Sequence, residues 1–375
     1  MKKVLVVFGT RPEAIKMAPV VHALKANNKF KTRVCITGQH REMLDQVLQF
    51  FQIVPDYDLN LMTPKQSLNL LASRILAEID VVFDDFKPDL VLVHGDTTTS
   101  SVVALAAFHR QIKIGHVEAG LRTYNKQSPF PEEINRQITG RLADIHFTPT
   151  PTTYNNLVLN EHVKASSVFT TGNTVIDALL WGVANINENR EAIQSLKSEL
   201  NFNKKIILVT GHRRESFGDK FVSFCSALLK IAERSDVQII YPVHLNPNVK
   251  EPVYKLLSKH PNILLIAPLD YEVFIWLMNM SYFIITDSGG VQEEAPSLGK
   301  PVLVTRDITE REEAVTLGAV NLVGTSFDKI VKASNLLLDD NSVYNSMRIE
   351  SNPYGDGKAA LKINRIIEKL LQENE

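Results

Sequence analysis

Near its start the chain reads Val4-Leu5-Val6-Val7-Phe8-Gly9-Thr10-Arg11-Pro12-Glu13-Ala14-Ile15-Lys16. Its apolar first part is typical of a strand that is buried on both faces of a parallel sheet. Proline is favoured in the first turn of a helix, and Gly9 permits the tight turn that must come before it. The stretch therefore predicts a strand that leads directly into a helix, as at the start of a βαβ unit.

The same alternation continues along the 375 residues. Further buried strands are predicted at 34–36, 90–93 and 114–117, with amphipathic helices at 14–24, 68–83 and 98–108. After a polar, partly helical segment at 182–205, a second series of strands is predicted at 206–209, 238–241, 263–266, 282–285 and 302–304. Such repetition predicts right-handed βαβ units, and hence two Rossmann-like doubly wound domains with a cleft between them.

Composition excludes several classes of protein. The 41 Lys+Arg and 42 Asp+Glu give a formal charge of −1, which argues against a nucleic acid or a membrane surface as partner. The apolar run at 4–8 is too short for a secretory signal, and no run is long enough to span a membrane, so we expect a cytoplasmic protein. The two cysteines, Cys35 and Cys225, lie far apart and no CxxC or HExxH pattern occurs, so neither a disulfide framework nor a common zinc site is expected.

In parallel sheets, ligands bind beyond the carboxyl ends of the strands. In the first half, Arg11 and Lys16 can meet an anion at a helix N-terminus, or they are two solvated cations on a surface turn. Asp96 follows the strand at 90–93 and is either a helix cap or a catalytic carboxylate. Glu118 follows the strand at 114–117, where a carboxylate is a stronger candidate for chemistry.

Glu132 and Glu133 stand in the first turn of a predicted helix. Acidic residues there commonly stabilise the helix dipole. That explanation suffices for one of the two and leaves the other available for catalysis.

The second half follows the same logic. His212 and Arg213 follow one strand and are candidates for proton or phosphate chemistry, whereas His244, after the next strand, is equally consistent with a packed loop histidine. The sequence Ser288-Gly289-Gly290 at a helix start exposes backbone N–H groups that suit a pyrophosphate, and Glu294 suits the hydroxyls of a ribose. Arg306 and Arg311 add cations after the next strand, so the second half predicts a nucleotide-diphosphate site.

At this point the sequence resembles the bacterial non-hydrolysing UDP-N-acetylglucosamine 2-epimerases over nearly its whole length. The resemblance rests on ordered motifs, among them FGTRPEAIKMAPVV at 8–21, LVHGDTTTS at 92–100, GHVEAGLRT at 115–123, PFPEEINR at 129–136, LVTGHRRESFG at 208–218 and TDSGGVQEEAPSLGKPVL at 286–303. It implies a glycosyltransferase B-type fold with a first domain at 1–172, completed by the C-terminal helix at 358–375, and a second domain at 173–357.

The resemblance also implies a homodimer that converts UDP-N-acetylglucosamine to UDP-N-acetylmannosamine without metal or cofactor. UDP is eliminated to leave 2-acetamidoglucal and then adds back, and the product serves bacterial surface polysaccharides. The catalytic set carried over is Asp96, Glu118, Glu132 and His212. The residues carried over for UDP are Arg11, Lys16, Leu269, Phe274, Ser288, Gly289, Gly290, Glu294 and Arg311.

Bacterial members of this family are activated by a second molecule of UDP-N-acetylglucosamine. The residues that match this allosteric region are Gln39, Gln46, Arg213 and His244.

Three other functions fit the same pattern. A retaining glycosyltransferase of this fold would need an acceptor, and the acidic cluster in the first domain would then be harder to explain. A hydrolysing 2-epimerase would release UDP and free N-acetylmannosamine. A regulator that only binds a nucleotide sugar would not depend on Asp96 or Glu118.

Overall fold

The computed structural model describes residues 1–38, 41–63, 66–211 and 218–372. Within these ranges the chain divides into two compact units, one of Met1–Trp181 together with the chain from Tyr354 onwards and one of Gly182–Pro353. The division falls later than the predicted residue 172, within the helix that follows the last strand of the first unit. The return of the chain to the first unit starts at Tyr354, before the predicted residue 358.

The first unit contains a sheet in which every paired strand is parallel. Its strands are β1 (Lys2–Phe8), β2 (Phe30–Ile36), β3 (Tyr57–Asp58), β4 (Leu90–His94), β5 (Lys113–Val117), β6 (Ile145–Thr148) and β7 (Val168–Thr170), in the spatial order β3-β2-β1-β4-β5-β6-β7. The order reverses between β1 and β4, which is the topological switch point of a doubly wound sheet.

Helices cover both faces of this sheet, as parallel strands require. They are α1 (Arg11–Lys25), α2 (Arg41–Phe50), α3 (Leu68–Phe86), α4 (Thr98–His109), α5 (Glu132–Leu142), α6 (Pro151–Asn155), α7 (Thr174–Ala184) and, at the end of the chain, α16 (Ala359–Gln372). The start of α1 is defined by a capping box, in which the Thr10 side chain accepts from the Glu13 amide and the Glu13 side chain accepts from the Thr10 amide.

The second unit repeats the design. Its strands are β8 (Lys205–Thr210), β9 (Val237–Pro242), β10 (Ile263–Ile266), β11 (Phe283–Thr286), β12 (Val302–Val304) and β13 (Val320–Leu322), in the order β10-β9-β8-β11-β12-β13. Its helices are α8 (Glu191–Glu199), α9 (Asp219–Ala232), α10 (Pro247–Leu257), α11 (Tyr271–Met280), α12 (Gly289–Glu294), α13 (Glu312–Thr316), α14 (Phe327–Asp339) and α15 (Asn341–Ser346). Here the switch point lies between β8 and β11.

The predicted doubly wound α/β class is confirmed, and every predicted strand is present. Four strands were not predicted, namely β3, β6, β7 and β13. They have only two to four residues each, and β3, β7 and β13 are the edge strands of their sheets. Among the described residues, no helix combines the length and the apolar character needed to cross a membrane.

The last helix, α16, is held in the first unit by a buried aspartate. The Asp177 carboxylate on α7 accepts hydrogen bonds from the amides of Ala359 at 3.2 Å and Ala360 at 2.8 Å, which are the first amides of α16. At the other end, Glu368 accepts from the side chain of Asn27 at 2.8 Å. Asp177 thus acts as an N-cap supplied from a distant part of the chain.

We predict that this cap makes the stability of the first unit depend on pH. Burial raises the pKa of the Asp177 carboxyl to about 6, against the two amide hydrogen bonds that lower it. The folded state therefore binds a proton that the unfolded state releases near its ordinary pKa of 3.8, and stability falls as the pH rises from there to about 6. Relative to Asp177→Asn, which does not titrate, the wild type should lose about 2–3 kcal/mol over this range.

Urea unfolding of both proteins at about pH 4.5 and pH 7 measures this difference. Glu78→Gln, at an exposed acid of α3, is the control and should show no such trend. A difference between wild type and Asp177→Asn that is the same at both pH values would contradict the prediction.

Candidate active site

A buried carboxylate joins the two loops at the switch point of the first unit. Glu13 is 2% exposed, and its Oε2 accepts from the amides of Gly9 at 3.0 Å and Thr10 at 2.8 Å. Its Oε1 accepts from the hydroxyls of Thr97 at 2.8 Å and Ser100 at 3.2 Å. Since Thr97 caps α4, Glu13 ties the loop after β1 to the loop after β4, which carries Asp96.

Glu118 forms the centre of the site. It lies directly after β5 with φ of +60°, a left-handed backbone conformation that is uncommon for residues other than glycine and is often found at functional positions. Its Oε2 forms an ion pair with Nζ of Lys16 on α1. The same oxygen accepts from Nδ2 of Asn173 at 3.0 Å, and the amide of Val175 donates to Asn173 Oδ1, which fixes the orientation of this side chain.

The histidines near Glu118 are neutral. Nε2 of His94 lies 3.8 Å from Glu118 Oε2, and burial lowers the pKa of His94 to about 4, although the Glu118 charge opposes this effect. His116 Nε2 lies 2.7 Å from the carbonyl oxygen of Gly95, so this nitrogen must carry the proton. Burial lowers the pKa of His116 to about 3. The positive charge beside Glu118 therefore comes from Lys16.

Asp96 is half-buried and forms an ion pair with Arg136 on α5, whose NH2 lies 2.6 Å from Asp96 Oδ2. Burial raises the pKa of the Asp96 carboxyl; Arg136 opposes this rise, while Glu118 adds to it. The guanidinium also lies 3.4 Å from Glu133 Oε2. A carboxyl whose pKa is raised towards neutrality by burial suits proton transfer.

The two acids at the start of α5 have different environments. Glu133 is fully buried and accepts from the amides of Thr123 and Tyr124, each at 3.0 Å. Glu132 is half-buried and lines a cavity of about 400 Å³ together with Asp96 and Thr97. Of the two acids, Glu133 therefore has the structural role, and Glu132 is the one that remains available to the cavity.

In the second unit the Ser288-Gly289-Gly290 loop begins α12 directly after β11. A Cβ atom at Gly289 would lie 3.3 Å from Cζ of Arg311, so the absence of a side chain lets the guanidinium pack against this helix start. Glu293 Oε1 accepts from Arg311 Nε at 2.8 Å. The structure therefore brings these predicted residues together at the end of β11.

Glu294 is buried, and the hydroxyl of Tyr271 on α11 donates to its Oε1 at 3.4 Å. Phe274 on the same helix is half-buried, although Val273 and Ile275 on either side are buried in the core. Leu269 is half-buried in the loop before α11. Tyr271 thus connects the α11 part of the predicted nucleotide site to the α12 part.

Of the remaining predicted residues, three are not described by the structure and three are. His212, Arg213 and Gln39 lie outside the described residues. Arg11 is half-buried as the first residue of α1, close in sequence to Lys16. Gln46 on α2 is exposed, and His244 is exposed with its Nδ1 accepting from the Asn246 amide at 3.1 Å.

Several residues that hold the predicted ones in place are not evident from the sequence, chiefly Glu13, Asn173 and Arg136. Only tertiary contacts reveal their partners. Within the described ranges, no three His, Cys, Asp or Glu side chains are grouped in a way that suits a metal ion.

Comparison with known proteins identifies the chain. The chain is an α/β protein of the glycosyltransferase B type, as the solved structures that resemble it show. A sequence model of the family described as UDP-N-acetylglucosamine 2-epimerase matches residues 22–368. The UDP-N-acetylglucosamine 2-epimerase of Escherichia coli K12 is 57% identical over 378 residues, covering 97% of this chain and 99% of the relative.

Two solved structures cover the chain almost completely. A putative UDP-N-acetylglucosamine 2-epimerase from Listeria monocytogenes has a TM-score of 0.92 and 46% identity, covering 100% of this chain and 98% of that one. The UDP-GlcNAc 2-epimerase from Neisseria meningitidis bound to UDP-GlcNAc has a TM-score of 0.87 and 49% identity, covering 99% of this chain and 100% of that one. This chain belongs to the UDP-N-acetylglucosamine 2-epimerase family, and the predicted family and isomerase class are confirmed.

We predict that Glu13→Ala destabilises the first unit by about 3 kcal/mol, because the buried amides of Gly9 and Thr10 and two hydroxyls lose their acceptor. Glu13→Gln, which keeps one acceptor oxygen, should lose less. Glu132→Ala, whose side chain is half-buried, serves as the stability control and should stay within about 0.5 kcal/mol of wild type. Equal unfolding midpoints for Glu13→Ala and Glu132→Ala in urea would exclude the role assigned to Glu13.

Proposed function

We propose that this chain reversibly epimerises C2 of UDP-N-acetylglucosamine to give UDP-N-acetylmannosamine, without hydrolysing the nucleotide sugar. The observation that carries the proposal is the pair of carboxylates, Asp96 and Glu118, at the ends of the neighbouring strands β4 and β5. Inversion at a carbon atom needs a group that removes a proton on one face and a group that supplies one on the other. The related Neisseria meningitidis protein, solved with UDP-GlcNAc, supports the choice of substrate.

The C2–H bond of the sugar is not appreciably acidic. We therefore propose that the C1–O bond to UDP breaks as the C2 proton passes to a carboxylate, which leaves UDP and 2-acetamidoglucal with a C1=C2 double bond. In the return step the double bond takes a proton on its other face, and UDP re-forms the bond to C1. Atoms and charge balance over the two steps, so no redox cofactor is required.

The electrostatics of the first unit support proton transfer by this cluster. Asp96, with its raised pKa, and Glu118, beside the Lys16 ammonium, are held in different charge environments. Groups of one kind in different environments commonly take different roles in acid–base catalysis. Glu132, in the same cavity wall as Asp96, and His212 complete the proposed catalytic set.

We propose that the second unit holds UDP, with Arg11 and Lys16 contributing from α1. The start of α12 at Gly289 and Gly290, with Arg311 packed against it, offers backbone N–H groups and a cation to a diphosphate. Buried Glu294 offers a carboxylate to the ribose hydroxyls, and Leu269 and Phe274 lie on the α11 side for the base. Stabilising the charge on the departing UDP lowers the barrier of the elimination step.

Resemblance to the family further supports a cytoplasmic homodimer whose product serves bacterial surface polysaccharides. Analytical ultracentrifugation of the purified chain tests the dimer, which a single species of monomer mass would exclude.

A proton NMR time course with UDP-N-acetylglucosamine alone in D₂O tests the reaction. We expect UDP-N-acetylmannosamine with deuterium at C2, reaching a mixture in which the nucleotide stays attached. Release of free N-acetylmannosamine would instead identify a hydrolysing enzyme. A substrate that stays unchanged until an acceptor is added would identify a glycosyltransferase.

In the same assay we predict that Asp96→Asn and Glu118→Gln each lower kcat by at least about 100-fold, because each removes a proton-transfer group. The matched control is Asp89→Asn, at the opposite end of β4, where the carboxylate accepts from the Lys3 amide at 2.7 Å and should not affect turnover. Full activity of either active-site variant would remove it from the catalytic set, and full activity of both would favour a regulator that only binds the nucleotide sugar.

We also propose activation by a second molecule of UDP-N-acetylglucosamine near Gln39, Gln46, Arg213 and His244. His244→Ala and Arg213→Ala should make turnover of UDP-N-acetylmannosamine insensitive to traces of UDP-N-acetylglucosamine. His260→Ala is the control for His244, since its Nδ1 accepts from the Asn262 amide at 3.3 Å in the same local contact. Initial rates with and without added UDP-N-acetylglucosamine measure the effect, and undiminished activation in both variants would exclude this site.

A further inference from the structure

The second turn of α5 places the guanidinium of Arg136 in contact with Asp96. Arg136 is 12% exposed, and its NH2 donates to Asp96 Oδ2 at 2.6 Å. The cavity beside Asp96 is lined by Asp96, Glu132 and Asn135, but neither Arg136 nor Glu133 belongs to its wall. Arg136 therefore contacts the candidate catalytic carboxylate without lining this cavity.

Glu133 holds this guanidinium in place. Its side chain is fully buried, and Oε2 lies 3.4 Å from Arg136 NH1. Three further donors, the amides of Thr123 and Tyr124 and the side chain of Gln137, bind the same carboxylate at 2.7 to 3.0 Å. Although burial raises the pKa of Glu133, these donors and Arg136 lower it overall, so the group is an anion that anchors a cation.

We propose that Arg136, anchored by Glu133, is a positioning residue that fixes the orientation and the negative charge of Asp96 during turnover. The inference rests on the proposed function, because it concerns the proton transfer assigned to Asp96. The guanidinium is a planar donor that constrains a carboxylate oxygen better than an ammonium does. No contact of Arg136 with the substrate is required.

Several charges act on Asp96, and they come from different elements. Arg136 on α5 and Lys16 on α1 favour its ionised form, while burial and Glu118 after β5 oppose ionisation. Glu132 adds a carboxylate to the same cavity wall. Arg136 is the cation in direct contact with Asp96. Its removal should therefore raise the pKa of the Asp96 carboxyl more than the loss of any other neighbouring charge.

The test compares Arg136→Met, Arg136→Lys and the control Arg141→Met, an exposed arginine in the last turn of the same helix. We expect Arg136→Met to lower kcat about 100-fold while KM changes by less than about threefold. One limb of its pH–rate profile should move to higher pH by about one unit, because an adjacent cation lowers the pKa of a carboxyl. In Arg136→Lys this limb of the pH–rate profile should stay where it is in the wild type, since the positive charge remains. Its kcat should lie between those of Arg136→Met and the wild type.

Circular dichroism and thermal unfolding of each variant establish that it is folded. If Arg136→Met does not fold, the lysine variant decides: a lowered kcat with the wild-type pH profile supports the inference, and unchanged kcat overturns it. A raised KM with an unchanged pH profile in Arg136→Met would show direct substrate contact and would also overturn it. If the wild type itself does not epimerise the nucleotide sugar, the proposed function fails, and that outcome is separate from any result with the variants.

Discussion

The buried carboxylate of Glu13 is the interaction on which the first unit's site depends. It lies at the point where the strand order of the sheet reverses, between β1 and β4, and it accepts hydrogen bonds from the loops after both strands. Burial raises the pKa of this carboxyl, and four contacts that lower it oppose the rise. An anion removed from water is stable only when donors surround it, and here the donors are the backbone and hydroxyl groups of the two loops. The residues that follow, Lys16 on α1 and Asp96 after β4, are placed by loops that Glu13 holds together.

The charges that result are arranged as separate pairs. Glu118 pairs with Lys16, and Asp96 pairs with Arg136, which is held in turn by Glu133. Buried acids of the same sign at neighbouring strand ends would repel one another, and a cation beside each reduces that repulsion. The nearby histidines contribute no charge, because burial lowers the pKa of both His94 and His116 well below neutrality. Near neutral pH, the carboxyl groups of this cluster are therefore better suited to proton transfer than these two histidines.

Much of this organisation could be predicted from sequence, because buried parallel strands are nearly continuous apolar runs. The runs that form β1, β4 and β5 are of this kind, and the residues that follow them are the candidate site. Short edge strands such as β3, with two residues, carry too little apolar sequence to be predicted. The partners of the site residues could not be predicted from the sequence either, since Lys16 lies 102 positions from Glu118 along the chain and Arg136 lies 40 positions from Asp96. Their pairing follows from the order of strands in the sheet and from helix placement, which local patterns do not specify.

The two units use the same topology for different chemistry. Both sheets reverse their order next to the first strand of the unit. In the first unit the loops after β4 and β5 carry the carboxylates of Asp96 and Glu118, and Glu118 has a left-handed backbone conformation. In the second unit the equivalent loop after β11 carries glycines, which let Arg311 approach the start of α12. A carboxylate cluster suits the transfer of protons, whereas open backbone N–H groups beside an arginine suit a diphosphate leaving group. An elimination needs both at once, because the proton and the leaving group depart from adjacent carbon atoms of the same sugar. Two doubly wound units with different residues at their strand ends thus offer the two kinds of group that the proposed reaction requires.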